Sequence, residues 1–578
     1  MKQFGRIMSR MFAAALAVAL VGTASVIPSV GRYFGTEITA NALAKSPVVT
    51  VGDFRYVLYE DKTANVVGYV GKKDMSKEIC AMPSVLYAKD ISTTWEYNDY
   101  ISQYTVTGLQ ASIFNGCKIK MLSLPRLLQN VVGGFTGAEI GGFTIDSANS
   151  YFSVTNNVYA LYDKSGTTLY AYPSNQSLYS AAYSGVMLKS GVTRIEDQAF
   201  ANCKLYKINI PSSVTYMGDR VFIGSSVGTI VFDGNSPSFR FLPEQSNDHG
   251  TFEGASRLDM ITITGTAGNY NTYNGALYNK DKTKLLLCPQ GRTTSSYFMM
   301  AATTTEIGAY AFYRCANLNA VSIPETVKTI SPDAFYRAKS DMVFYGMQDS
   351  YAQTYANDNG KVFIARYPYV VNDDGTLTIT GYNDVYTGVT VPSKINGKTV
   401  SAIGARAFIN NTKITVVSIP YGVKTIGEHA FRGCENLTKA MLPASLTKIS
   451  PYAFYHCTSL ESIRIPDSVT SIGALAFYGC TSLEEAVIGK SVQSIGNYAF
   501  ENTALTNVTL PPSVTFIGSY AFGYHYEDET HTKVDFDCIA GHPATIAESY
   551  AEKHEIPFKS YFDYEVNADG KTVTIHKV

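Results

Sequence analysis

Phenylalanine recurs at a fixed interval along the chain, and this interval constrains the fold more than any other feature of the sequence. Five phenylalanines follow one another at steps of 23 residues: Phe408, Phe431, Phe454, Phe477 and Phe500. Further members are Phe522 after a step of 22, Phe312 and Phe335 with the 23-residue step, and the less regular Phe114, Phe200, Phe222 and Phe252. A constant step of this size is the signature of a stacked repeat architecture. The eight regularly spaced phenylalanines, Phe312, Phe335, Phe408, Phe431, Phe454, Phe477, Phe500 and Phe522, are the predicted core anchors.

One period contains a short strand, a turn and a second apolar segment. Residues 460–465 alternate between apolar and polar, which is typical of a strand, and Pro466 then turns the chain. Gly473 precedes a predicted helical turn that carries Ala476 and Phe477 inward. Ordering such a unit costs about 35 kcal/mol, which takes burial of roughly 1400 Å² of apolar surface to offset. Only neighbouring units can supply that surface, so the sequence predicts a mainly β repeat solenoid.

Six of the nine cysteines share one repeat position. They lie three residues after one of these phenylalanines: Cys117, Cys203, Cys315, Cys434, Cys457 and Cys480. We interpret them as a column of small buried thiols, because no Cys-x-x-Cys or Cys/His cluster with zinc-ligand spacing occurs. Cys80, Cys288 and Cys538 lie outside this column, and the pattern leaves their state open.

The consensus Ile-Pro-x-x-Val-x-x-Ile-Gly-x-x-Ala-Phe-x-x-Cys-x-x-Leu resembles the BspA-type bacterial leucine-rich repeats over roughly residues 105–540. Residues 159–166 and 276–285 resemble the hairpin-bearing repeats of that family. The resemblance implies leucine-rich-repeat arrays with short strands and helical turns, in a secreted or cell-surface protein used for adhesion or recognition. The family has no common catalytic residues to carry over, and its partners vary widely.

The N-terminus has the composition of an export signal. Basic residues precede the apolar stretch 11–21, and the small residues 40–42 are favoured as the cleavage site over residues 22–24. No second apolar run of membrane-spanning length follows, so no transmembrane segment is predicted after cleavage. The protein is therefore expected to be secreted or held at the cell surface.

Two repeat arrays are expected, each followed by a cap and a strand pair. Residues 350–357 and 544–554 have the pattern of short amphipathic helices, which suits the covering of an array's last apolar face. Residues 369–375 match residues 564–570, and each begins a predicted β-hairpin; the first is expected to act as a joint between arrays. The predicted organisation is a signal peptide 1–42, a divergent β-rich segment 43–104, a first array 105–345, a helical cap 346–364, a β-hairpin linker module 365–402, a second array 403–540, a helical cap 541–560 and a C-terminal β-hairpin 561–578.

Tyrosines flank the anchor phenylalanines and form a candidate ligand-binding stripe. The chain has 42 tyrosines and one tryptophan, and stacking of repeats would bring some of these phenols into rows. The candidate residues are Tyr310, Tyr452, Tyr498 and Tyr520, two residues before an anchor, and Tyr455 and Tyr478, directly after one. Lateral packing of one tyrosine on the next is the alternative interpretation, and His429 and Leu475 interrupt the row.

Two other surfaces are weaker candidates. The exposed positions of the main strand are predicted to be Ser322, Ser418, Met441, Arg464, Val487 and Thr509, which share no charge or aromatic character and suggest a solvated sheet face. Residues 525–531 hold two histidines and three carboxylates, but strand spacing would point them to different faces. No metal site is therefore assigned there.

The sequence favours a binding protein over an enzyme. It lacks a Gly-x-Ser-x-Gly elbow, a His-Glu-x-x-His motif and a phosphate-binding glycine loop, so no catalytic residue and no cofactor is predicted. A formal net charge of −1 argues against a nucleic-acid partner. The expected partner is a host or bacterial surface protein. Polysaccharide binding, suggested by the tyrosine excess, and a passive structural role at the surface are the alternatives.

Overall fold

The computed structural model describes residues 49–59, 61–87, 103–155, 158–175, 188–234, 250–264, 268–384, 386–527, 529–561, 563–566 and 573–576. The predicted export signal lies outside the described residues. Contacts within the chain divide it into two compact units, Met1–Met342 and Val343–Val578. Among the described residues, no helix combines the length and the hydrophobicity needed to cross a membrane.

The first unit is built from short strands. They are β1 Val49–Val51, β2 Phe54–Leu58, β3 Thr63–Tyr69, β4 Asp74–Ala81, β5 Val85–Tyr87, β6 Gln103–Gln110, β7 Lys118–Ser123, β8 Asn130–Val132, β9 Glu139–Ile140, β10 Phe143–Thr144, β11 Phe152–Val154, β12 Leu161–Asp163, β13 Thr168–Ala171, β14 Arg194–Ile195, β15 Lys207–Ile210, β16 Tyr216–Met217, β17 Thr229–Asp233, β18 Met260–Thr264, β19 Tyr270–Tyr273, β20 Ala276–Asn279, β21 Lys284–Leu287, β22 Tyr297–Met299, β23 Glu306–Ile307, β24 Ala320–Ser322 and β25 Thr329–Ile330. A single turn of 3₁₀-helix, Ala111–Phe114, follows β6.

Parallel pairing joins successive turns of the first unit, as in β13-β14-β16, β15-β17-β18 and β21-β23-β25. Two antiparallel three-stranded segments interrupt this pattern, β11-β12-β13 and β19-β20-β21. They coincide with the two segments whose sequence resembles hairpin-bearing repeats. Strand β24 is buried along its whole length, so the predicted exposed column does not extend to Ser322.

The second unit continues in the same style. Its strands are β26 Val343–Gly346, β27 Phe363–Ala365, β28 Tyr369–Val371, β29 Leu377–Ile379, β30 Gly388–Thr390, β31 Lys394–Ile395, β32 Lys398–Ile403, β33 Val416–Ser418, β34 Thr425–Ile426, β35 Lys439–Met441, β36 Lys448–Ile449, β37 Ser462–Arg464, β38 Ser471–Ile472, β39 Glu485–Val487, β40 Ser494–Ile495, β41 Asn507–Thr509, β42 Phe516–Ile517, β43 Tyr524–Glu527, β44 Thr530–Lys533, β45 Cys538–Gly541, β46 Phe558–Ser560, β47 Asp563–Val566 and β48 Val573–His576. Its helices are α1 Tyr351–Asp358 and α2 Ile546–Lys553.

Two sheets, built mainly from parallel strands, run through the second unit. One has the order β30-β33-β35-β37-β39-β41-β45-β46, and the other β28-β29-β32-β34-β36-β38-β40-β42 with β31 beside β32. Each repeat adds one strand to each sheet. The predicted mainly β solenoid of leucine-rich-repeat arrays is confirmed.

Alternation within the strands decides which face meets solvent. In β37 the middle residue Ile463 is buried, whereas Ser462 and Arg464 are exposed. Successive strands pair in register, so that Arg464 lies opposite Val487 on β39. Because side chains alternate across a strand, one face of the eight-stranded sheet packs on the core and the other faces outward.

The segment around each anchor phenylalanine forms a third side of the turn, which we call the turn edge. The Tyr452 N–H donates to Ala474 O at 3.0 Å, and the Phe454 N–H donates to Ala476 O at 2.7 Å, both in the next repeat. These bonds satisfy backbone groups that strand pairing does not reach. Tyr452 has a φ of 59°, a left-handed conformation that costs a non-glycine residue about 1 to 2 kcal/mol.

The anchor phenylalanines stack into a column that we call the aromatic spine. Within the second unit its members are Tyr367, Tyr382, Phe408, Phe431, Phe454, Phe477, Phe500, Phe522 and Tyr550. Ring centroids of Phe477 and Phe500 are 5.0 Å apart, with 11° between the ring planes. Neighbouring parallel strands lie about 4.8 Å apart, so one ring per turn stacks at this spacing without strain. In the first unit Phe312 is buried and stacks on the half-buried Phe335 at 4.6 Å.

The hairpin module 365–402 is continuous with the second array. Strand β28 pairs antiparallel with β29, β29 pairs parallel with β32, and β32 pairs parallel with the first short strand of the array, β34. Tyr382 of the module stacks on Phe408 at 5.3 Å. The module was expected to act as a joint, but on this side it is the first turn of the same sheet and core.

All nine cysteines are free thiols, and eight of them are buried. The thiols of Cys434, Cys457 and Cys480 donate to the carbonyl oxygen of the anchor phenylalanine one turn earlier, at 3.1, 3.2 and 3.2 Å. The repeat position that the sequence marks with cysteine is therefore a column of small buried donors. Of the three outside it, Cys80 and Cys288 are buried and Cys538 is half-buried.

Candidate functional site

The six candidate tyrosines all lie on turn edges, and all six are half-buried. The four that precede an anchor by two residues, Tyr310, Tyr452, Tyr498 and Tyr520, have φ between 54° and 60°. Tyr310 belongs to the first unit, where its ring packs edge-on against Tyr313 at 6.1 Å and Tyr336 at 5.9 Å. The remaining five belong to the second unit.

In the second unit the candidate tyrosines stack on one another or on histidine. Tyr455 and Tyr478 lie 5.1 Å apart with 7° between their planes, and Tyr498 and Tyr520 lie 5.8 Å apart with 9°. Tyr452 stacks instead on His429 at 4.6 Å. Sugar rings bind the open faces of aromatic rings, and in each stacked pair one face of each ring is covered by its partner. The arrangement is that of lateral packing.

The insertion 525–531 belongs to a hairpin of β43 and β44 that folds onto the turn edge. Within it His525 lies opposite Thr532, and His531 lies opposite Tyr526. The two histidines consequently point to opposite faces of the hairpin. His525 Nε2 lies 3.1 Å from the Thr503 carbonyl oxygen. In the part of the chain that the structure describes, no three His, Cys, Asp or Glu side chains are grouped to hold a metal ion.

Glu501 is a buried carboxylate beneath this hairpin. Its Oε1 is 2.5 Å from Nδ1 of His531, whose ring stacks on Tyr520 at 3.9 Å and on Tyr498 at 5.2 Å. Burial raises the pKa of Glu501, while the hydrogen bond and charge of His531 oppose that rise. This pair fastens the hairpin to the last turns of the solenoid. The sequence pattern draws attention to His531 in the insertion but not to its buried partner Glu501.

The outward face of the eight-stranded sheet carries a concavity of about 580 Å³, which we call the sheet groove. It crosses β35, β37 and β39. Its lining residues are Lys439, Ala440, Met441, Leu442, Ala444, Ser462, Arg464, Ile465, Pro466, Asp467 and Val487. Ligand sites in proteins are concavities of roughly 300 to 1000 Å³, so the sheet groove is large enough for a small ligand or a short peptide segment.

The lining of the sheet groove has more positively than negatively charged side chains. The described residues provide no ion-pair or hydrogen-bond partner for the side chains of Lys439 and Arg464. The lining carboxylate, Asp467, accepts the backbone N–H of Lys490 at 3.0 Å. Exposed Met441 and half-buried Val487 flank Arg464 on the neighbouring strands. The groove therefore presents two positively charged side chains without ionic partners among the described residues, Lys439 and Arg464, beside apolar side chains.

The sequence predicts exposed positions for Met441, Arg464 and Val487, which line this groove, and indicates a solvated sheet face there. Of the predicted exposed column, Met441, Arg464 and Thr509 are exposed and Ser418 and Val487 are half-buried. Its lining includes two small side chains, Ala444 and Ser462, whose counterparts one turn earlier are the larger Tyr421 and Lys439. These two small residues were the signal available in the sequence.

A sequence profile of the BspA type leucine-rich repeat region matches the chain in six copies. The matched residues are 173–297, 290–357 and 401–527, more than half of the chain. No curated protein matches.

Solved leucine-rich-repeat proteins are similar at low identity. One from Eubacterium ventriosum is 20% identical, covers 79% of this chain and 95% of its own, and superposes with a TM-score of 0.26. A leucine-rich cell surface protein from Faecalibacterium prausnitzii is 19% identical, covers 82% and 95%, and has a TM-score of 0.22. A leucine-rich repeat protein of T. pallidum is 27% identical over 34% of this chain and 95% of its own, with a TM-score of 0.26. The assignment of this chain to a family therefore rests on the match to the repeat profile.

Proposed function

The chain belongs to the BspA-type leucine-rich-repeat family, and from that premise we propose that it is a secreted or cell-surface binding protein that holds a partner protein in its sheet groove. The observation that carries this proposal is the concavity of about 580 Å³ with unpaired Arg464 between two apolar side chains. The family provides a repeat scaffold, and the groove is a place where this scaffold departs from a flat solvated sheet.

The composition of the groove suits a protein partner. Interfaces between proteins favour arginine, methionine and aromatic side chains at their centres. Met441 is 43% exposed, and Tyr421, which holds the repeat position of Ala444 one turn earlier, is 78% exposed. A large exposed aromatic ring next to a concavity can anchor a partner at little cost in conformational entropy.

Polysaccharide capture by the tyrosine stripe is the weaker alternative. Tyr455 stacks on Tyr478, and Tyr498 stacks on Tyr520. This stacking covers one face of each ring and reduces the ring surface that is open to a sugar. A sugar could reach the covered faces only by separating stacked rings of the turn edge.

The test is a binding screen of the purified protein against immobilised matrix proteins, mucin and purified polysaccharides. Two combined variants distinguish the surfaces: Met441→Ser with Arg464→Gln in the groove, and Tyr452→Ala, Tyr498→Ala with Tyr520→Ala on the stripe. Circular dichroism and the midpoint of denaturant unfolding check that each variant is folded. We expect a saturable protein ligand whose binding the groove variant weakens at least tenfold and the stripe variant leaves unchanged. A glycan ligand lost only in the stripe variant would replace this function with carbohydrate capture.

A further inference from the structure

We infer that the sheet groove recognises a carboxylate in a short peptide segment of the partner. Arg464 binds this carboxylate, and the apolar side chains of Met441 and Val487 contact the residue beside it. This inference rests on the proposed function and specifies the partner's chemistry.

A ligand cannot form backbone hydrogen bonds with strand β37 in the sheet groove. Strand β37, which carries Arg464, lies between β35 and β39 in the interior of the eight-stranded sheet. Its backbone donors and acceptors on both sides are used by parallel neighbours. A partner segment cannot add itself as another strand here, so recognition depends on side chains.

Arg464 is positioned to bind an anion at close range. It lies opposite Val487, and Met441 holds the same place on the preceding strand, two residues beyond the paired Lys439 and Ser462. Covering this guanidinium with a partner removes water from it, which is unfavourable unless an opposite charge replaces the water. A carboxylate matches the guanidinium in a bidentate geometry that amides and hydroxyls do not provide.

The rest of the lining favours the same ligand. Lys439 supplies a second unpaired cation, so the lining carries two positive charges against the one carboxylate of Asp467, which accepts the Lys490 N–H. The flexible thioether of Met441 adapts to apolar side chains of different shape. An acidic residue next to an apolar one would therefore fill both parts of the groove.

The surroundings of the groove distinguish a peptide carboxylate from an anionic polymer. Glu485 is exposed on β39, and Glu461 and Glu484 are exposed directly before β37 and β39, but all three lie outside the lining. A polysaccharide with a charge on every repeating unit would extend from the cationic centre over these carboxylates and be repelled by them. One carboxylate in a short segment avoids that repulsion.

The experiment uses two pools of fluorescent heptapeptides in equilibrium binding to the purified protein. Both pools have leucine, methionine or phenylalanine beside the central residue; this central residue is aspartate or glutamate in one pool and asparagine or glutamine in the other. We expect the acidic pool to bind at least about tenfold more tightly, as loss of one charged hydrogen-bonded pair predicts. This preference should fall as salt rises, because the charges are partly exposed.

Two variants locate the effect. Arg464→Gln should remove the preference for the acidic pool, whereas Arg432→Gln, which removes an exposed arginine from the turn edge of the same unit, should leave it intact. Equal binding of both pools, no binding of the acidic pool, or a preference that survives Arg464→Gln would each overturn the inference. Equally effective competition by a carboxylated polysaccharide such as hyaluronan would also overturn it.

Failure of the proposed function gives a different result. If the protein ligand found in the binding screen is insensitive to the combined groove variant, the groove is not its site, whatever the peptide pools show. If that ligand depends on Met441 but binds equally well after Arg464→Gln, the groove is the site and the carboxylate is not what it recognises.

Discussion

The ring of Phe454 stacks on the ring of Phe431 one turn earlier, with centroids 5.0 Å apart and 6° between the planes. Phe454 is fully buried and stacks equally closely, at 5.2 Å, on Phe477 of the next turn. Phe454→Ala is expected to lower the free energy of unfolding by about 3 to 5 kcal/mol, since it leaves a cavity between two rings.

The control is Phe516→Ala, in the same unit but on an exposed ring. This change should alter stability by less than about 0.5 kcal/mol. Urea unfolding followed by circular dichroism measures both. Similar losses in the two variants would show that the aromatic spine does not hold the repeats together.

Thiol reactivity should divide the cysteines sharply. Burial raises the pKa of Cys434 to about 12 and that of Cys80 to about 12, so neither forms the reactive thiolate at neutral pH. We expect a thiol reagent such as dithionitrobenzoate to modify Cys538 alone in the native protein, because it is the one half-buried thiol. All nine should react after denaturation. Peptide mass spectrometry identifies the modified residue, and rapid native labelling of the Cys434 column would contradict the structure.

Glu501 makes stability depend on pH in a predictable direction. Burial raises its pKa above the ordinary value of 4.5, despite the opposing effects of His531 and His525. A group with a raised folded-state pKa contributes its full stability below the unfolded-state pKa, and this contribution is lost as pH rises through the folded-state value. Other titratable side chains around the pair are Tyr478, Tyr498, Tyr520, Tyr524, Tyr526, Tyr550, Lys533, His554 and Glu555.

Glu501→Gln removes the charge while keeping the side-chain shape. As pH rises from 4.5, the free energy of unfolding of this variant should therefore increase relative to that of the natural protein. Guanidinium unfolding at several pH values between 4.5 and 7.5 gives the difference, with Glu485→Gln on the exposed sheet face as the control. A Glu501→Gln difference that stays constant with pH would mean that His531 neutralises the carboxylate completely.

Arg406 tests the strain on the turn edge. It is exposed and has a φ of 61°, and its N–H donates to Glu428 O at 3.0 Å. Arg406→Gly should stabilise the protein by up to about 1 kcal/mol, because glycine adopts this conformation without the steric penalty.

Arg432 is the control, an arginine that is exposed on the next turn edge but has no positive φ. Arg432→Gly should therefore destabilise the protein by about 0.5 to 1 kcal/mol through the greater freedom of the unfolded chain. Thermal unfolding of the two variants decides this, and changes of the same sign would show that backbone strain does not control these positions.

The sequence predicted the packing elements well and the surface poorly. The 23-residue step identified Phe431, Phe454 and Phe477, and the same step identified the thiols of Cys457 and Cys480. Residues at one repeat position must meet their counterparts in the next turn, so periodicity alone reveals them. No periodicity marked Glu501 and His531, which are 30 residues apart and meet because one hairpin is inserted in one turn.

The repeat period by itself determined the architecture. A 23-residue unit cannot bury enough apolar surface alone, so a chain that repeats it has to stack its units into a solenoid with one aromatic ring per turn. What each outward side chain does was decided only by the tertiary structure. The approach of one turn to the next stacks Tyr455 on Tyr478 and covers one face of each ring, whereas Arg464 lies in a groove whose lining includes the small side chains of Ala444 and Ser462. These outcomes depend on the relative size of neighbours across turns, which a repeat pattern does not encode.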